Sequence, residues 1–133
     1  MRIARGRAHG AGSEERGPTF TGRVWADPVL SAEGDVGVNS VFFEPGARTH
    51  WHTHAIGQVL YVTHGEGYVV TRDGVGGRIS AGDVVHVAAG EEHWHGASPT
   101  AYLLHLAISL GPATWLDPVA EADYQAAFAG SDS

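Results

Sequence analysis

From Thr19 onward this chain is cut into short β-forming runs by turn signals, and that punctuation limits the folds open to it more than any other feature. The candidate strands cover residues 20–25, 36–44, 49–54, 58–63, 67–72, 77–80, 84–87, 93–97 and 101–110. Between them stand Glu33-Gly34-Asp35, Glu44-Pro45-Gly46, Arg72-Asp73-Gly74 and Ala81-Gly82-Asp83, residue types that favour tight turns. Many short strands and nineteen glycines point to an all-β barrel or sandwich. The end of the chain differs. Residues 118–129 are rich in alanine and space Val119, Tyr124 and Phe128 as a helix does, which predicts a short C-terminal helix on the outside. Asp117 is then the expected N-cap and Pro118 the first helical residue. The expected organisation is a flexible N-terminal arm over 1–17, a β-barrel domain over 18–116, and a helix and tail over 117–133.

Charge and composition remove several classes of function. The net charge of −7 argues against nucleic acid as a partner, since phosphate binding needs a basic surface. Four of the eight basic residues (Arg2, Arg5, Arg7 and Arg16) fall in the first sixteen positions, leaving the rest more acidic still. Cysteine is absent, so there is no disulfide, thiolate ligand or thiol nucleophile. Lysine is absent too, which excludes Schiff-base chemistry on a lysine side chain. No apolar run approaches the roughly 18 residues of a membrane span, and no signal-peptide core is visible. A cytoplasmic protein acting on a small molecule is expected, with neither nucleic acid nor membrane as partner.

Histidine placement supplies the chemistry. In a strand, side chains at i and i+2 share a face. His50, His52 and His54 therefore project together, spaced by about 7 Å along an extended strand. His93 and His95 repeat the arrangement some way along the chain. Imidazole pairs aimed into one cavity are a ready chelate for a borderline divalent cation such as Mn, Fe, Co, Ni or Zn. In 101–110, strict alternation puts Tyr102, Leu104, Leu106, Ile108 and Leu110 on one face, suited to another sheet or a partner subunit. Leu103, His105, Ala107 and Ser109 share the other face, which has the character of a cavity lining. His105 is a candidate general base, because an unperturbed imidazole titrates near neutrality. Trp51 and Trp94 alternate with the histidines and should point away from the metal.

The run Gly46-(five residues)-His52-Xaa-His54-(three)-Gln58-(six)-Gly65, with Gly82-(five)-Ala88-Xaa-Gly90-(two)-His93-(three)-Ala97, resembles the two motifs of the cupin superfamily. That resemblance spans residues 36–110 and implies a jelly-roll β-barrel with a central metal held by His52, His54, Gln58 and His93. Gln58 stands where the family usually has a glutamate, and Ala88 and Ala97 replace its customary proline and asparagine. Three imidazoles and an amide leave the +2 charge of an ion uncompensated. Such a centre is a strong Lewis acid that attracts anions, and it favours the divalent state over redox cycling.

Phe43-Glu44-Pro45-Gly46-Ala47-Arg48-Thr49, Trp51-His52-Thr53-His54, Gly57-Gln58, Glu91-Glu92-His93-Trp94-His95-Gly96 and His105-Leu106-Ala107-Ile108 look like the bacterial cupin hydroxynitrile lyases. The resemblance implies a manganese-dependent lyase that splits or forms cyanohydrins such as mandelonitrile. His95 and His105 would be its acid/base residues, and Thr49, His50, Asn39 and Leu103 would line the substrate space. It also implies a homodimer. An iron or nickel dioxygenase of the flavonol or thiol type, or a non-catalytic cupin that binds a metal or small molecule, are the alternatives.

Overall fold

The computed structural model describes residues 1–5, 12–33 and 35–129. In chain order the elements are β1 (Glu14–Glu15), β2 (Phe20–Thr21), β3 (Val24–Glu33), β4 (Val36–Phe43), β5 (Arg48–Thr49), β6 (His52–His54), β7 (Gly57–Thr71), β8 (Gly76–Ser80), β9 (Val84–Ala88), β10 (His93–Ala97), β11 (Leu103–Leu110), β12 (Ala113–Trp115) and α1 (Glu121–Ala129). All pairings are antiparallel, as expected for a chain of hairpins and short connections.

Two curved layers are joined by one long strand. The first half of β7 pairs with β11 and β9, and β11 continues through β4 and β3 to β1. Its second half pairs with β10 and β8, and β10 continues to β5, β6, β2 and β12. The sequence signals at 58–63 and 67–72 thus belong to one strand. Its pivot is Gly65, at φ +83°, where a Cβ would fall onto the Tyr102 carbonyl. A register shift between Leu104 and His105 marks a bulge opposite this bend. Such bulges re-aim side chains near functional sites.

The interior between the layers is filled by Val24, Phe43, Leu60, Val62 and Leu103, all fully buried. The alternation along β11 holds: Leu103, His105 and Ala107 are buried, while Leu104, Leu106 and Ile108 face outward and are half-buried. A second apolar cluster lies under the helix and joins Trp51, Tyr68 and Trp94 to Val119 and Tyr124. Both tryptophans do point away from the histidines. Burying a large apolar side chain contributes about 1.5–3 kcal/mol, so Tyr124 and Val119 anchor this helix. The Tyr124 hydroxyl donates to the Ala97 carbonyl at 2.8 Å, and the Arg48 guanidinium lies 4.2 Å from the ring centre.

Several expectations are corrected. The helix begins at Glu121, not at Pro118. Asp117 does not cap it, because its carbonyl accepts from the Trp51 amide at 3.0 Å and its carboxylate from Arg72 at 2.8 Å. The run 49–54 is two strands, interrupted at His50 and Trp51. The segment assigned to a flexible arm contains β1, in which Glu14 and Glu15 pair with Ala26 and Trp25. The rest of that expectation, at 6–11, and the expected tail at 130–133 lie outside the described residues. No described helix is long and apolar enough to cross a membrane.

Candidate metal centre

The histidines meet because β6 and β10 are neighbours, with His52 directly opposite His93. Their rings are 4.2 Å apart between centres, and His54 lies 5.1 Å from His52 and 5.7 Å from His93. Ligand atoms of His52, His93 and His95 come within 4.8 Å of one another, so these three buried imidazoles could hold a divalent metal ion. Gln58 reaches the group from β7, its Oε1 lying 3.1 Å from His93 Nε2.

Tautomers follow from the partners. The Nδ1–H of His52 donates to the His50 carbonyl and that of His93 to the Glu91 carbonyl, both at 2.9 Å. A carbonyl only accepts, so each neutral ring must turn an unprotonated Nε2 toward the centre. Gln58 donates through Nε2 to the Ser109 hydroxyl at 3.1 Å, which leaves its Oε1 facing His93. Two lone pairs facing each other at this distance repel unless a cation lies between them. His54 makes the same point, since both of its ring nitrogens are buried without a hydrogen-bond partner. The donors present therefore fit a bound cation.

Burial keeps these rings neutral. Desolvation, reinforced by the neighbouring His93, lowers the pKa of His52 to about 3 and that of His54 to about 4. His93 is lowered too, again by burial.

A different pair stands beside them. His105 Nε2 lies 3.0 Å from His95 Nδ1, and Phe43 packs against both rings, at 5.8 Å from His95 and 5.2 Å from His105. Burial lowers His105 to about 4 and pushes His95 well below its ordinary value, with His105 adding to the effect. His95 Nε2 is buried and has no hydrogen-bond partner.

A cavity of about 520 Å3 opens over this floor. His52, His54, Gln58 and His95 line it, together with Asn39, Thr49, Val41, Ala107 and Ser109. Thr49 also accepts the His95 amide at 3.2 Å. Three expectations change here. His105 is not among the lining residues and lies behind His95. Leu103 is a core residue packed between the layers. His50 falls at the break between β5 and β6 and serves His52 through its carbonyl, with its side chain outside the lining. Asn39 lines the cavity.

Sequence reasoning missed Trp115 and the segment 15–20, both of which line the cavity. Trp115 stacks on His52 at 4.4 Å and touches Phe20 at 5.6 Å. Its only signal was a three-residue β run after a Gly-Pro turn. The N-terminal segment carries no periodicity at all.

Comparison with known proteins agrees with this architecture. The model of the Cupin domain family matches residues 39–108. A curated protein of Granulicella tundricola named (R)-mandelonitrile lyase is 44% identical over 124 residues, covering 87% of this chain and 95% of that one. The crystal structure of a cupin-like protein from Thermotoga maritima superposes with a TM-score of 0.81 at 42% identity, over 85% of this chain and 90% of its own. A polyketide cyclase from Streptomyces resistomycificus shares the fold, with a TM-score of 0.69 at 16% identity over 94% of this chain and 92% of its own.

Proposed function

Given that this chain belongs to the cupin family, we propose that it is a divalent-metal-dependent lyase that cleaves or forms cyanohydrins. The observation that carries the reading is its 44% identity to a mandelonitrile lyase across 95% of that protein. The geometry supports it through two unlike sets of histidines, one at the cavity floor and one running from His95 back to His105.

His52, His54, Gln58 and His93 would hold the ion, manganese in the first instance. His95 is assigned to proton transfer because its Nδ1 is committed to another imidazole. Held by these neutral side chains, a divalent ion would supply Lewis-acid stabilisation of negative charge that develops as the carbon–carbon bond breaks. His95 Nε2 accepts the cyanohydrin hydroxyl proton. The electrons of the O–H bond form the aldehyde carbonyl, those of the C–CN bond leave with cyanide, and His95 returns the proton to give hydrogen cyanide. His105 positions this base. When His95 Nδ1 donates to His105, His95 Nε2 is a free base; when His105 donates back, His95 Nε2 carries the proton. The buried, apolar surroundings keep the pair neutral before reaction, so the proton gained lasts only while an anion stands beside it.

The test is mandelonitrile cleavage by protein loaded with manganese, iron or zinc, with and without oxygen. Release of benzaldehyde and cyanide without oxygen uptake is expected. No release with any of the three ions, or turnover only with oxygen, would overturn the reading. We further propose a homodimer formed through the outward face of β11. Sedimentation as a monomer at micromolar concentration would exclude it.

A further inference from the structure

Arginine is this chain's only strong cation, and on the barrel it is almost always engaged. Arg23 faces Glu15 at 3.4 Å, Arg48 faces Glu121 at 3.1 Å, and Arg78 faces Glu66 at 2.5 Å. Arg72 bridges Glu92 at 3.0 Å and Asp117 at 2.8 Å. Arg16 differs from all four. It has no carboxylate partner among the described residues, and it is the one basic residue lining the metal cavity apart from the histidines. Glu15, the one acidic lining residue, is turned to Arg23.

The backbone that presents Arg16 is built into the barrel. Its amide donates to the Val24 carbonyl at 2.7 Å, directly after the β1 pairing with β3. The Phe20 amide closes a turn onto the Gly17 carbonyl at 3.0 Å, and the Phe20 ring packs on Phe43 and Trp115. Arg16 itself is half-buried, so its charge is partly shielded from solvent.

We propose that Arg16 makes this cavity selective for substrates that carry a carboxylate remote from the reacting carbon. The proposal rests on the cavity being the substrate site of the lyase described above. A cavity of about 520 Å3 lies within the range of about 300–1,000 Å3 that encloses drug-sized ligands, and an unsubstituted aromatic cyanohydrin fills only part of it. A divalent ion on neutral ligands, together with a guanidinium that has no carboxylate partner among the described residues, would make its field positive. A carboxylate complements that field and matches the planar fork of arginine through two parallel hydrogen bonds. Carboxylate-bearing aldehydes and their cyanohydrins are the class this site would take.

The test compares 4-formylbenzoate with its neutral methyl ester by calorimetry on the manganese-loaded full chain, for the wild type, Arg16→Gln and Arg16→Lys. The wild type should bind the carboxylate about tenfold more tightly than the ester, the scale of one charged hydrogen-bonded contact. Arg16→Gln should erase that preference without changing ester affinity, and Arg16→Lys should keep part of it. In turnover of the two corresponding cyanohydrins the difference should appear in KM and not in kcat. Equal affinity of the wild type for both probes overturns the proposal. So does a preference that survives Arg16→Gln, which would place the carboxylate on the metal. A carboxylate preference without cyanohydrin cleavage would remove the lyase reading and leave this one standing; mandelonitrile cleavage without the preference would do the reverse.

Discussion

His52 and His93 on one side, and His95 and His105 on the other, are all buried and all held neutral, yet their outer nitrogens have different partners. The first two fasten their outer nitrogens to backbone carbonyls of His50 and Glu91. A carbonyl never gives a proton back, so each inner nitrogen is a permanent lone pair. The second two fasten to each other, and a proton between two imidazoles can sit on either. Under the proposed lyase reading, the partner of the far nitrogen, two residues away in sequence or ten, would separate a ligand from a proton carrier.

The heaviest blow to this distinction is His93→Ala. Removing a ligand of the proposed ion should weaken metal affinity by more than the roughly 10–100-fold typical of supporting residues, as read from metal titration of the purified protein. His95→Ala should do the opposite of what a ligand loss does. Metal content stays, and mandelonitrile turnover falls by about 100- to 10,000-fold. If that variant loses its metal instead, His95 belongs with His52 and His93. His105→Ala, acting only through His95, should cost about 10–100-fold in the metal-loaded enzyme. Unchanged turnover would take it out of the mechanism.

Acid should expose what the two groups share. His52, at about 3, and His54 and His105, at about 4, all have folded pKa values below the ordinary 6.5. Below that ordinary value the unfolded chain takes up protons that the folded chain refuses. Stability of the metal-free protein is therefore full above pH of about 6.5 and is lost progressively toward pH of about 3, by an amount on the order of a few kcal/mol. Thermal melts in chelator at pH 7 and pH 5 should show the lower midpoint at pH 5; equal midpoints would mean these rings are not held neutral in solution. The smallest change is Ser109→Ala, which frees the Gln58 amide to rotate. Losing one hydrogen bond of about 0.5–1.5 kcal/mol should weaken metal binding about 2- to 10-fold and leave the fold intact.

Local pattern carried most of the barrel. The alternation along β11 told inside from outside correctly, because burial on one face is what a period of two records. The pattern failed where tertiary contacts override it. Strand β3 runs to Glu33 through Asp27-Pro28, a pair that reads as a break. The barrel absorbs the proline at a register shift between Pro28 and Leu30. Asp117-Pro118 looks like a helix start, but Arg72 and Trp51 claim the aspartate first. In the site, spacing paired the histidines and the cupin resemblance added Gln58 to His52, His54 and His93, residues that the fold brings close together. Spacing did not reveal that His105 sits behind His95, since depth from a cavity is set by the opposite layer. Nor did it find Arg16 or Trp115, which reach the cavity from the two ends of the barrel sequence and have no local signature.

The stacking of Trp115 on His52 has a practical side. An indole whose face lies against a ring proposed to bind a metal would share its electronic surroundings with whatever that ring holds. Of the four tryptophans, Trp51 and Trp94 are sealed under the helix and Trp25 bonds to Glu44 at 3.2 Å, while Trp115 alone borders the cavity. A paramagnetic ion arriving at His52 should dim that emitter most strongly. The protein thus carries its own gauge of occupancy, readable by light without a label.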